Sequence, residues 1–317
     1  MVRSPQNYRS RMPMAQSAPT VLPSFKDEAS RARFMAAYDA AIAAWPVPCE
    51  ALDVPTRLGP THVIASGPRD APPLVLLPSF AGTAAAWRLN VAGLSQSYRT
   101  YAVDVIGQPG RSLANRRLHN AQDYGEWLAD VLDGLKISRA SLVGCSFGGF
   151  VALNQARMTP ERVDRVVLIS PVGSFTSQFW TLTFVMRIRT PFLRFLRRLT
   201  RRSRSPGMAD LGSREAPMAP PRDRLWAALM GATMTERPTL SVISPPVFTT
   251  AQLRSIRAPT LLLIGEKERL YEPQAMLDLA RRRMPALQGA IVPNADHIAA
   301  MAQPADVNAR ILRFLGA

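Results

Sequence analysis

The sequence predicts an α/β fold, a doubly wound and mostly parallel sheet with a helical cap inserted late in the chain. Three observations predict it. Short apolar runs alternate with helix-period patterns, as strands covered on both faces by crossover helices require. The run at 141–144 passes into a helical pattern through Gly144-Cys145-Ser146-Phe147-Gly148. Roughly ninety residues separate the strand ending at Ser170 from the one starting at Thr260, too many for a bare connection.

From the N-terminus, Phe34 to Trp45 reads as an amphipathic helix within an extension over residues 1–57. Strands are expected near 60–66, 73–77, 100–104, 141–144, 165–170, 260–264 and 289–292. Helices are expected near 84–96, 122–135, 147–157, 273–283 and 299–314. The catalytic core then comprises 58–172 and 258–317, and residues 173–257 form the cap. Between 187 and 204 the cap carries arginines at 187, 189, 194, 197, 198, 201, 202 and 204. At 100° per residue Ile188, Phe192, Phe195, Leu196 and Leu199 share one face of a helix, opposite Arg187, Arg194, Arg197, Arg198 and Arg201. Pro191 marks a bend. Three readings stay open for this helix: a lid over an acyl pocket, a surface docking an anionic lipid surface or an acidic acyl carrier protein, or a solvated face. The stretch Ser203 to Arg222 is rich in Pro, Ser and Arg and reads as a loop.

Composition bounds the function. With 317 residues, 47% hydrophobic, the chain can bury a large core in one catalytic domain with an insertion. No segment reaches the roughly 18 continuous apolar residues that span a membrane. The stretch Met1 to Ser10 has no apolar run behind it, so no signal peptide is expected. Two cysteines, Cys49 and Cys145, make no disulfide framework. A cytoplasmic location is the expectation. The net charge of +16 does not point to nucleic acid, because the arginines lack stacking aromatics or a binding motif. No metal-ligand cluster, P-loop or dinucleotide fingerprint is present, and no cofactor is expected. Gly107-Gln108-Pro109-Gly110-Arg111 lacks the fingerprint spacing and reads as a turn.

The chemistry centres on Ser146. A Gly-x-Ser-x-Gly turn between strand and helix holds its serine in a strained conformation and lifts the hydroxyl above the sheet. Glycines at 144 and 148 relieve collisions that Cβ atoms would make in so tight a turn. A serine nucleophile needs a base, and the chain has three histidines, His62, His119 and His297. His62 lies in an early strand and His119 in a polar stretch. His297 follows the last strand, on a loop that can reach the top of the sheet. The third member, a carboxylate between serine and histidine in the chain, is expected at Glu268, just past the strand 260–264. Glu266 is its rival. For the oxyanion, donors are expected from the backbone N–H of Phe147 and of Phe80, the latter in Pro78-Ser79-Phe80-Ala81-Gly82 after strand 73–77. Pro78 has no N–H to offer.

With these residues in place the chain resembles the α/β-hydrolase superfamily, and within it bacterial carboxylesterase-like members with a Ser-His-Glu triad. The resemblance spans nearly the whole chain and includes Thr61 to Pro68, Ala71 to Leu77, Tyr101 to Gly107, Pro160 to Val163 and Phe248 to Thr250. It implies cleavage of a small-molecule carboxylic ester, with an apolar acyl or aromatic group, through an acyl-enzyme. Ser79, Trp87, Phe175, Phe179 and Trp180 are candidate pocket walls. Two departures stand out. Relatives commonly carry His-Gly at Pro78-Ser79, and a glycine often occupies the place of Asp296. Lactones, thioesters, carrier-bound esters, carbon–carbon bonds beside a carbonyl and cofactor-free haloperoxidase or perhydrolase chemistry use the same machinery. A non-catalytic binding protein on this fold is the alternative of a different class.

Overall fold

A computed structural model describes residues 25–177, 223–236 and 240–317. Its strands form one eight-stranded sheet in the order β1-β2-β4-β3-β5-β6-β7-β8. They are β1 (Cys49–Val54), β2 (Thr61–Ser66), β3 (Pro73–Leu77), β4 (Arg99–Val103), β5 (Ala140–Cys145), β6 (Val163–Ile169), β7 (Thr260–Gly265) and β8 (Gln288–Val292). β2 pairs antiparallel with β1 and β4, and the remaining pairs are parallel. The central strand β5 is buried along its whole length. Its mostly apolar sequence, broken only by Ser141, is what a strand covered on both faces needs.

Alternation along the strands feeds two cores. Val75, Leu77, Leu142, Leu262 and Ile264 point to a face covered by α3 (Ala121–Gly134), α4 (Phe147–Met158) and α7 (Pro273–Arg283). Leu74, Leu76, Val143, Cys145 and Leu263 point to the other, covered by α2 (Arg88–Leu94), α8 (Ala299–Ala302) and α9 (Pro304–Leu315). Local chemistry sets the helix ends. The Asn120 side chain accepts from the Asp123 N–H at 3.0 Å to open α3, a cap worth about 1 kcal/mol. Gly316, at φ 87°, closes α9.

A third cluster joins α1 (Glu28–Ala43) to α5 (Arg224–Glu236) through Phe34, Met35, Tyr38, Trp226 and Leu229. The Arg33 guanidinium donates to both carboxylate oxygens of Glu236, and Arg88 pairs with Asp223 at 2.5 Å. The chain then returns to the sheet through residues 240–249 and the short α6 (Thr250–Arg254).

The expected fold is found, with local differences. β1 was not anticipated, because Cys49 to Val54 is an edge strand with mostly exposed or half-buried residues and carries no strong apolar signal. It pairs with β2 from Cys49↔Ser66 to Val54↔Thr61, so the sheet begins ahead of the core boundary expected at 58. The helix expected over 299–314 is two. Pro304 opens the second because a proline nitrogen cannot donate back to the preceding turn. The first turn of the helix expected over 84–96 is a 3-10 helix, Ala84–Trp87. Of the expected cap, residues 173–177, 223–236 and 240–257 are described; the arginine run 187–204, Ser203 to Arg222, Phe179 and Trp180 lie outside the described residues.

Candidate active site

Ser146 sits between β5 and α4 with φ 52° and ψ −111°, a conformation costing a non-glycine residue about 1–3 kcal/mol. Surrounding bonds hold it there. Its N–H donates to the Ile169 carbonyl at 2.8 Å, and its own carbonyl accepts from the Gly149 N–H at 3.0 Å. The flanking glycines are required by space. A Cβ at Gly144 would stand 2.6 Å from the Gly149 nitrogen, and one at Gly148 would stand 2.6 Å from the Pro78 carbonyl oxygen. The second contact shows how closely the start of α4 lies against the loop leaving β3.

Two loops from the far side of the sheet bring the partners. Glu268 lies three residues past the end of β7, with its N–H donating to the Gly265 carbonyl at 3.1 Å. His297 lies past β8. The Nδ1 of His297 is 2.6 Å from Glu268 Oε2, and Nε2 is 2.9 Å from Ser146 Oγ. With Nδ1–H donating to the carboxylate, Nε2 is the acceptor left for the serine hydroxyl. The other oxygen of Glu268 accepts from the N–H groups of Arg269, at 2.7 Å, and Leu270, at 3.0 Å. Burial works to raise the Glu268 pKa, but the bond and charge of His297, with these two N–H groups, outweigh it and hold the carboxyl below its usual range.

The other candidates are occupied elsewhere. Glu266 Oε2 accepts from the Asn294 N–H at 2.8 Å, and Asp296 Oδ1 from the Ile298 N–H at 3.0 Å. Both carboxylates brace the loop that carries His297. His62 Nδ1 meets Asp53 at 2.7 Å, across the β1–β2 pair, and His119 is exposed.

The fold that carries this serine, histidine and carboxylate is shared with known proteins. The model of the "Alpha/beta hydrolase family" matches residues 74–310. The chain belongs to this family. It is similar to carboxylesterase YbfK of Bacillus subtilis, 37% identical over 287 residues, 89% of this chain and 93% of that protein. It is also 34% identical over 288 residues to the uncharacterized carboxylesterase nap of the same organism, covering 90% of this chain and 93% of that protein. The crystal structure of naproxen esterase from Bacillus subtilis superimposes with a TM-score of 0.76 at 33% identity, over 90% of this chain and 98% of that one.

In this α/β-hydrolase the loop 78–82 carries the expected oxyanion donor. Phe147 opens α4, where an N–H has no intrahelical acceptor, and the Phe80 N–H has no partner among the described residues. Their rings lie 6.4 Å apart, centroid to centroid. The next N–H along, that of Ala81, is engaged: it donates to Gln108 Oε1 at 2.6 Å. Gln108 belongs to the turn 107–111. A side-chain acceptor on a distant loop leaves no periodic mark in a sequence, so nothing there distinguished it from a plain turn residue.

Among the expected pocket walls, Ser79 is buried on the same loop, with its carbonyl accepting from the Gly82 N–H at 2.9 Å. Trp87 and Phe175 are both buried among apolar core residues. Trp87 is 1% exposed and packs on the α2 face with Leu74 and Leu76; Phe175 is 1% exposed and packs in the α3 and α4 core. A large apolar side chain gives the same sequence signal in a core and on a pocket wall. A cleft of about 360 Å³ lined by Val47, Cys49, Gly67 and Arg99 opens at the opposite, N-terminal end of β4. Its arginine is already paired with Glu50, and it contains none of the groups around Ser146. Among the described residues no helix is long and apolar enough to cross a membrane.

Proposed function

We propose that this chain is a serine carboxylesterase that cleaves small carboxylic esters through an acyl-enzyme on Ser146. The observation that carries the reading is the continuous path from Glu268 Oε2 through His297 to Ser146 Oγ, with steps of 2.6 and 2.9 Å. Along this path Ser146 attacks the ester carbonyl as its proton passes to Nε2. Glu268 keeps Nδ1–H directed away from the serine and stabilises the imidazolium. The N–H groups of Phe147 and Phe80 receive the oxyanion, each such donor being worth about 10²–10³ in kcat. His297 then protonates the leaving alkoxide, and water, deprotonated by the same imidazole, releases the acid. Similarity to Bacillus carboxylesterases over about nine-tenths of the chain supports esters as the substrate class. The two free cysteines suit a reducing compartment such as the cytoplasm.

The acidic carrier or anionic lipid surface suggested by arginines 187–204 rests on their spacing in the sequence, and no described residue favours it. The test of substrate class is a panel of p-nitrophenyl esters of graded acyl length, run beside lactones and thioesters. The ester reading expects the highest kcat/KM on an ester and a chain-length cutoff. A lactone or thioester preferred by tenfold or more over every ester would replace it.

A further inference from the structure

A left-handed residue next to the expected oxyanion donor is held by one buried side chain. Ala81 has φ 58°, a region that L-residues other than glycine occupy at a cost. Its N–H is directed at Gln108 Oε1, 2.6 Å away, and Gln108 is 4% exposed. The amide of Gln108 is oriented by this bond, since only its oxygen can accept, and its buried Nε2 has no partner among the described residues. A buried donor left without an acceptor is unfavourable, and the arrangement persists with the oxygen committed to Ala81. If the bond is broken, the peptide between Phe80 and Ala81 loses its anchor, and with it the direction of the neighbouring Phe80 N–H.

The turn that presents Gln108 is itself fixed. Gly107 has φ 76°, and a Cβ there would come under 3.0 Å from the Ser241 carbonyl oxygen. The Ser241 N–H donates to the Gly107 carbonyl at 2.8 Å, and Ser241 Oγ accepts from the Leu118 N–H at 3.1 Å. A hydrogen-bonded path therefore runs from the returning segment 240–249 through Gly107 and Gln108 to Ala81. Asp104, at the base of the same turn, accepts from the N–H groups of Ala84 and Arg111, both at 2.7 Å. The middle and the C-terminal end of the 78–84 loop are thus tied to residues 104–111.

We propose that Gln108 is a positioning residue for transition-state stabilisation, fixing Ala81 in its left-handed conformation so that the Phe80 N–H faces the oxyanion. The proposal rests on the acyl-enzyme reading above.

The test compares Gln108→Met, which keeps length and removes the acceptor, with Gln108→Glu, which keeps an acceptor. For Gln108→Met, kcat on a p-nitrophenyl ester should fall about 10- to 100-fold, the scale of a misplaced donor. Affinity for a boronic acid that forms a tetrahedral adduct on serine should fall by a similar factor, with KM within about threefold. Gln108→Glu should recover much of both. A side chain that only fills space would lower the melting temperature without moving kcat and boronate affinity together. Wild-type kcat and boronate affinity in Gln108→Met would overturn the proposal, as would equal losses in Gln108→Glu and Gln108→Met. Should Gln108→Met not fold, amide exchange in the wild type decides: the Ala81 N–H should be protected, and rapid exchange there would overturn the proposal. Ser146→Ala run in parallel separates the two failures. If it keeps full activity the acyl-enzyme reading is wrong, whereas an inactive Ser146→Ala beside an unaffected Gln108→Met removes the role of Gln108 alone.

Discussion

The α-carbon of Gly265 lies so close to the loop before His297 that a Cβ there would come under 3.0 Å from the carbonyl oxygen of Asp296 and 2.6 Å from that of Ala295. The same junction is laced by the Lys267 N–H donating to the Ala295 carbonyl at 2.7 Å and the Glu266 N–H donating to that of Val292 at 3.0 Å. The end of β7 and the loop after β8 thus form one unit, and this brings Glu268 to His297. Gly265→Ala must push the two loops apart. We expect kcat to fall about 10- to 100-fold, since small misplacements of catalytic groups cost this much, with a lower melting temperature. Ester kinetics beside thermal unfolding read both, and unchanged kinetics would mean the junction does not set the geometry.

Glu268→Gln should lower kcat by about 10³–10⁴-fold, because an amide keeps the shape but does not stabilise the imidazolium. Glu266→Gln and Asp296→Asn should stay within severalfold of wild type, since an amide oxygen can still accept from the Asn294 or Ile298 N–H. Steady-state kinetics of the three variants rank the acids. A larger loss in Glu266→Gln or Asp296→Asn would move the acid assignment.

Burial pushes the Cys145 thiol up to about 12, with the charges of Glu268 and Asp296 adding to the effect, while Cys49 is exposed. At pH ~8 the folded protein should therefore take up one alkyl group from iodoacetamide, on Cys49, because the thiolate is the reacting form. Peptide mapping by mass spectrometry locates it. Alkylation of Cys145 in the folded state would show that this side of the elbow is open.

The sequence was most readable where one residue type had one use. An apolar run closed by Gly144 and Gly148 could only be a central strand entering a tight turn. Three histidines left His297 as the proposed base by elimination, a buried strand ending just before Glu268 pointed to it as the proposed acid, and the two side chains meet at 2.6 Å. β1 escaped because an edge strand needs no strong apolar pattern. Trp87 and Phe175 carried no signal that separates core from pocket wall, because burial in a core and burial against a ligand demand the same side chain. The bond from Ala81 to Gln108 spans 27 residues and depends on a loop conformation that no local pattern encodes.

The central claim is that Ser146 is the nucleophile of an ester hydrolase. A fluorophosphonate probe with intact mass spectrometry, applied to wild type and Ser146→Ala beside ester kinetics, tests it most directly. The account predicts one adduct on the wild type, mapped to Ser146. In Ser146→Ala it predicts no adduct and a kcat reduced by about 10⁴-fold or more, with an unchanged melting profile. Labelling of Ser146→Ala at another serine, such as Ser79 in the 78–82 loop, together with retained ester hydrolysis, would contradict it.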